Sequence, residues 1–151
     1  MDLKNLEIRR AKVDDMAAIL GLVRELAVYE KAADQVKTTV EDYEKNFLSG
    51  VFDANVAVLD GEVIGMVLYY VCWSTWKGRM LYLDDFVIKE KLRRTGIGQV
   101  LFDELFAEAK KRGCKLVKWQ VLDWNEPALK FYKKNSAIIE KEWWNGKKNI
   151  I

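Results

Sequence analysis

The chain has 151 residues and a mass of 17.6 kDa, and 50% of it is apolar, enough for one domain with its own core and no need of disulfides or a structural metal. Twenty-five Lys and Arg stand against 23 Asp and Glu, so the net charge of +2 sets up no dominant field for nucleic acid, and recognition by charge must be local. Histidine is absent, which excludes Ser-His-Asp and Cys-His catalysis, His-ligated metal sites and imidazole as general base.

Leu6 to Arg10 alternates apolar and polar residues and predicts a first strand. Behind Asp14, Met16, Ile19, Leu20, Val23, Leu26 and Ala27 recur at helical spacing, and Tyr29 to Lys37 follows as a polar loop. Thr38 and Glu41 are spaced as a capping box for a shorter helix with Val40, Tyr43 and Phe47 on one face. Ala54 to Leu59 and Glu62 to Trp73 flank Asp60-Gly61, the dipeptide of a type I′ hairpin turn, and Met80 to Ile88 is a further strand. Ile97, Leu101, Phe102, Leu105, Phe106 and Ala109 mark a helix that stops at Gly113. Leu116 to Leu122 reads as a strand, Asn125-Glu126-Pro127 as a helix start, and Ala137 to Trp144 as a last strand. The order predicts a single α/β domain over residues 1–151, with a central mixed, mostly antiparallel sheet flanked by helices.

Cys72 and Cys114 are too few for a disulfide framework and have no CxxC spacing, so they read as inert small hydrophobes in a reducing cytoplasm. The most apolar stretch, Val63 to Trp73, falls short of a bilayer span, and a soluble chain without a membrane partner is expected. The six tryptophans are expected in a core or an interface.

The informative segment is Leu81 to Leu105. An apolar strand runs into the basic connection Lys89 to Arg94, then Thr95-Gly96-Ile97-Gly98, then an amphipathic helix. Glycine lets an anion approach the backbone, the unsatisfied amides of the helix start point outward, and the helix dipole adds about half a positive charge there. The longer GxGxxG pattern fails because Leu101 occupies the third glycine position, and the P-loop fails because no Lys-Ser or Lys-Thr follows. Arg-x-x-Gly-x-Gly, met by Arg93, Gly96 and Gly98, holds.

With that loop the sequence resembles the GNAT superfamily of acyl-CoA-dependent N-acetyltransferases. Glu25-Leu26-Ala27, Tyr29-Glu30, Leu81 to Phe86, Trp124 to Pro127 and Phe131-Tyr132-Lys133 are similar, in order, to the spermidine/spermine (diamine) N-acetyltransferase branch, which includes thialysine acetyltransferases. The resemblance implies a GNAT fold and acetyl-CoA as cosubstrate, with no metal. In its terms the backbone at Phe86, Val87 and Ile88 pairs with the pantetheine arm, and Arg93, Arg94, Thr95, Gly96, Ile97, Gly98 and Gln99 hold the pyrophosphate. Asn125, Glu126, Pro127 and Ala128 line the thioester end, and Tyr132 protonates the departing thiolate. Asp84 takes the amine's proton through water, while Tyr29 and Glu30, with Asp85, contact the amine substrate. A homodimer is expected by the same analogy.

The sequence departs from its relatives at three places. Asp84 replaces a glutamate and is one methylene shorter. Lys31 and Ala33 thin out the acidic loop, which weakens the case for a long polycation. Asn135-Ser136 stands where relatives place a glycine, with Asn135 expected to adopt the left-handed conformation. A small polyamine-like or diamine-like amine is the expected acceptor. The alternatives are thialysine, an amino acid or a protein lysine as acceptor, and a non-catalytic acyl-CoA-binding sensor. Nucleic-acid binding through the basic runs is disfavoured by the near-neutral charge.

Overall fold

The computed structural model describes residues 2–150, and the chain divides into two compact units, one ending at Gln120 and one beginning at Val121. The first unit is built on a five-stranded sheet in the order β1 (Leu6–Arg10), β2 (Asp53–Leu59), β3 (Glu62–Ser74), β4 (Gly78–Ile88) and β5 (Leu116–Lys118). The first four strands run antiparallel and β5 runs parallel to β4, so the sheet is mixed as expected. Asp60 and Gly61 both take positive φ, 51° and 82°, which is what the tight turn between β2 and β3 requires.

Three helices cover the sheet: α1 (Met16–Tyr29), α2 (Val40–Leu48) and α3 (Ile97–Lys111). Met16, Ile19 and Leu22 of α1 are buried in one cluster with Val56, Val58, Met66, Leu68 and Val87, and Tyr43 and Phe47 of α2 pack against its rim. Consecutive strand residues face opposite ways. Gly65, beside Met66, therefore faces the other layer, where a Cβ would lie 3.4 Å from Leu101 of α3. On that side Phe102 stacks on Phe86 and meets Trp119 edge-on.

Two helix starts differ by one residue from the sequence reading. Asp15 rather than Asp14 leads into α1, after a 3-10 turn over Val13–Asp15. Its buried carboxylate accepts two bonds from Arg9, at 2.8 and 3.1 Å, and one from the Lys12 amide at 2.7 Å, whereas Asp14 is exposed. The capping box of α2 is Thr39 with Asp42, not Thr38 with Glu41. The Asp42 amide donates to Thr39 Oγ1 (3.2 Å) and the Thr39 amide donates to Asp42 Oδ2 (2.9 Å). The polar loop contains a further 3-10 turn, Ala33–Gln35.

The second unit contains α4 (Glu126–Lys134), capped as expected by Asn125, whose Oδ1 accepts from the Ala128 amide at 3.3 Å. After α4 it is Ser136, at φ 62°, that turns left-handed. Asn135 stays at φ −91° while its Nδ2 donates to the Phe131 carbonyl, so the expectation for Asn135 is corrected. Two strand expectations are also corrected. The strand from Leu116 ends at Lys118, and Ala137 to Trp144 carries no regular structure. Alternation marks residues that suit a sheet face, but a strand exists only where a partner supplies the ladder. The tryptophans are not core residues as a group: Trp73, Trp76, Trp143 and Trp144 are largely exposed.

Candidate active site

The site in the first unit is organised by an irregularity in β4. Leu68 pairs with Asp85 and Tyr69 with Leu83, so Asp84 is an extra residue, a β-bulge. The bulge breaks the strict alternation of β4, placing Leu83 and Phe86 on the α3 side and bringing Asp84 and Asp85 together toward the α1 and α2 side. The negative charge of both carboxylates is felt at the Tyr43 hydroxyl of α2, and Asp85 also feels Glu30 at the end of α1.

Three carboxylates thus share one region with little compensation. Burial, then the charges of Asp84 and Glu30, push Asp85 up to about 7. Asp84 keeps a solvent-facing surface, yet the protein packed round it raises its carboxyl too, and burial raises Glu30. Beside them Tyr70 and Tyr82 stack at 5.4 Å between ring centroids, both held protonated to higher pH by burial and then by Asp84. A cluster of this kind attracts a cation, and an organic ammonium would restore the charge balance that the protein leaves open. Part of the cluster can also hold a proton near neutral pH.

β4 then leads directly to the anion loop. A 3-10 turn over Glu90–Leu92 follows Ile88, Thr95 Oγ1 donates to the Leu92 carbonyl at 2.6 Å, and Arg94 (φ 65°) and Gly96 (φ 90°) both adopt the left-handed region. The first bond of α3 runs from the Val100 amide to the Gly96 carbonyl, so the amides of Ile97, Gly98 and Gln99 lie ahead of the helical ladder. A Cβ on Gly96 would meet nothing within 4 Å; conformation requires the glycine, and the space above the turn is open. Open space, amides at a helix start and the exposed Arg93 and Arg94 suit a diphosphate. β5 pairs with β4 only through Met80, Leu81 and Tyr82, leaving the part of β4 that holds Phe86, Val87 and Ile88 beyond that ladder.

Of the residues expected at the site, Tyr29, Glu30, Asp84, Asp85, Phe86 to Ile88 and Arg93 to Gln99 lie in the first unit. Arg93 sits over the Tyr29 ring, 5.5 Å from Cζ to the centroid. Asn125, Glu126, Pro127, Ala128 and Tyr132 lie in the second unit, on α4 and its cap. There Tyr132 is buried and meets Phe131 edge-on at 5.7 Å. Sequence reasoning put Tyr43 on one helix face with Phe47, where it packs, but gave no sign of its nearness to the two aspartates, and it missed the bulge at Asp84. The only signal for the latter was two adjacent aspartates breaking an otherwise apolar strand.

Its family and its relatives define the chain as an N-acetyltransferase. The sequence model of the acetyltransferase (GNAT) family matches residues 20–136, and the chain belongs to that family. It is similar to the thialysine N-epsilon-acetyltransferase of Bos taurus, with 38% identity over 150 residues, 91% of this chain and 88% of that one. It is also similar to a human spermidine/spermine N(1)-acetyltransferase-like protein, with 26% identity over 92% of this chain and 22% of that one. The fold is that of an aminoglycoside acetyltransferase from an uncultured soil metagenomic sample, solved with trehalose. The two superpose with a TM-score of 0.82 at 20% identity, over 99% of this chain and 100% of that one.

Proposed function

We propose that the enzyme transfers the acetyl group of acetyl-CoA to the terminal primary amine of a small aliphatic substrate. The observation that carries this reading is the construction of β4, which presents the Asp84-Asp85 bulge and leads, after one short turn, into the Arg93 to Gln99 loop. One strand thereby serves a cation and an anion. The diphosphate would lie on the loop, and the pantetheine arm would run along β4 at Phe86 to Ile88, pairing as an added strand.

The acceptor must be deprotonated before it can attack. An alkyl amine with a pKa of about 10.4 is free in only about one molecule in 2,500 at pH 7, a handicap of about 4.6 kcal/mol. In our reading the Asp84-Asp85 pair binds the ammonium and takes one proton through water. The nitrogen lone pair then attacks the thioester carbonyl carbon, a tetrahedral intermediate forms, and the C–S bond breaks. Tyr132 gives its proton to the thiolate and recovers one from solvent, to which the second amine proton is lost.

Three carboxylates and two tyrosines suit an aliphatic ammonium of modest length. The 38% identity to a thialysine acetyltransferase favours a lysine-like side-chain amine, whereas the 26% match favours a polyamine. A free-thiol assay with acetyl-CoA against thialysine, lysine, spermidine, spermine, putrescine and a lysine peptide separates them. The expected result is turnover on thialysine or a diamine that falls sharply in Tyr132→Phe and Asp84→Asn. Coenzyme binding without turnover on any amine would instead support a sensor.

A further inference from the structure

We propose that Tyr29 positions Arg93 for the cosubstrate's diphosphate, so that the amine-side loop and the anion loop bind their ligands cooperatively. This rests on the function proposed above and adds a role for a residue that the sequence associates only with the amine. Arg93 is an exposed arginine on a loop, and a free guanidinium there loses substantial rotamer freedom on meeting a phosphate. Two contacts already restrain it. Its Nε donates a long hydrogen bond to the Ile88 carbonyl at 3.4 Å, and its Cζ lies 5.5 Å from the Tyr29 ring centroid, within cation–π range.

Neither contact uses the terminal N–H groups, which are the ones that match phosphate oxygens bidentately. The ring holding the guanidinium is the last residue of α1, and Glu30, which belongs to the carboxylate cluster, is next in the chain. An ammonium drawn to the cluster would steady the end of α1 and with it the ring over Arg93. A diphosphate fixing Arg93 would in turn steady the ring and Glu30. Such coupling is reciprocal by thermodynamic necessity.

The test is calorimetric titration of CoA into the wild type, Tyr29→Phe, Tyr29→Leu, Arg93→Gln and the Tyr29→Leu/Arg93→Gln double variant. Loss of an exposed cation–π contact is expected to weaken CoA binding about two- to fivefold in Tyr29→Leu. Tyr29→Phe, which keeps the aromatic face, is expected to stay within about twofold of the wild type. The double variant is expected to bind no more weakly than Arg93→Gln, because the ring has nothing left to position. In kinetics the KM for acetyl-CoA rises in Tyr29→Leu and is restored in Tyr29→Phe. Tyr29→Gln, which keeps length and helix propensity without a π face, gives the same reading should leucine alter stability. Equal CoA affinity in the wild type and Tyr29→Leu, or additive losses in the double variant, would overturn the inference and leave the proposed function standing. Failure of the wild type to bind CoA would overturn the proposed function itself.

Discussion

Asp85 sits in the β4 ladder opposite Leu68, with Asp84 and Glu30 raising its pKa to about 7 on top of burial, and this has consequences for both activity and stability. In the proposed reaction the pair accepts the amine's proton, so kcat/KM should show a limb that rises through about pH 7. That limb should move to lower pH in Asp84→Asn, which removes one of the raising charges; a pH profile at saturating acetyl-CoA checks this. For stability the sign follows from the raised value. The unfolded carboxyl titrates near about 3.9, so the folded state binds the extra proton between about pH 4 and 7. The penalty is absent below that window and complete above it. Asp85→Asn should therefore stabilise the fold by about 1–2 kcal/mol at pH 8, discounted for solvent screening, and by little at pH 4.5, as urea unfolding would show. The same variant should lose activity, which is the trade-off expected where like charges are held together for function. At Tyr132, replacing the hydroxyl alone by Tyr132→Phe should lower kcat by about 100-fold with a smaller effect on KM. The absence of histidine left carboxylate, tyrosine, lysine, cysteine or water for proton transfer, and the family resemblance singled out Asp84 and Tyr132 among them. The sharing of negative charge among Glu30, Asp84 and Asp85 was only partly legible, since the raising of Asp85 depends on how deeply the bulge buries it.

At the level of elements, α3 and its loop agree most closely with the sequence, because glycine spacing, helical periodicity and the basic last turn are all local signals. Gly96 holds φ 90° at the helix start. Gly96→Ala should therefore cost about 1–2 kcal/mol of stability and raise the KM for acetyl-CoA, measured by thermal melting and initial rates. The one-residue corrections at α1 and α2 have a similar origin. Thr38 and Thr39 are both competent caps; in the fold Thr39 and Asp42 close the reciprocal pair, while the Thr38 side chain hydrogen-bonds Tyr43. Thr39→Ala should cost about 1 kcal/mol, while Thr38→Ala should not lose a helix cap. Strands were harder to bound. Alternation is present both in Leu6 to Arg10, which pairs with β2, and in Ala137 to Trp144, which has no regular structure, because pairing is a property of two segments and not of one.

Across the first unit, Asp53 joins elements distant in sequence. It accepts hydrogen bonds from Arg10 (3.0 Å) and Arg112 (2.6 Å), and Arg112 also reaches Glu108 and lies over the Tyr69 ring. Burial pushes the Asp53 carboxyl up, but the two arginines and the Ala54 amide outweigh it and hold the pKa below the usual carboxylate range. Its stabilisation is therefore present above about pH 4 and lost as pH falls through the lowered folded value. Arg112→Leu should destabilise the fold by about 2 kcal/mol at pH 7, less at low pH, and shift acid unfolding to higher pH. Nothing local in the sequence couples positions 10, 53 and 112. Composition and local pattern did determine much of this protein: the mixed α/β class, the hairpin at Asp60-Gly61 and the glycine turn that opens α3, because each depends on residues a few positions apart. The tertiary structure decided the bulge that places Asp84 beside Asp85, the stacking of Arg93 on Tyr29, the arginine pair on Asp53 and where strands end. Each of these depends on a partner that the chain reaches only by folding.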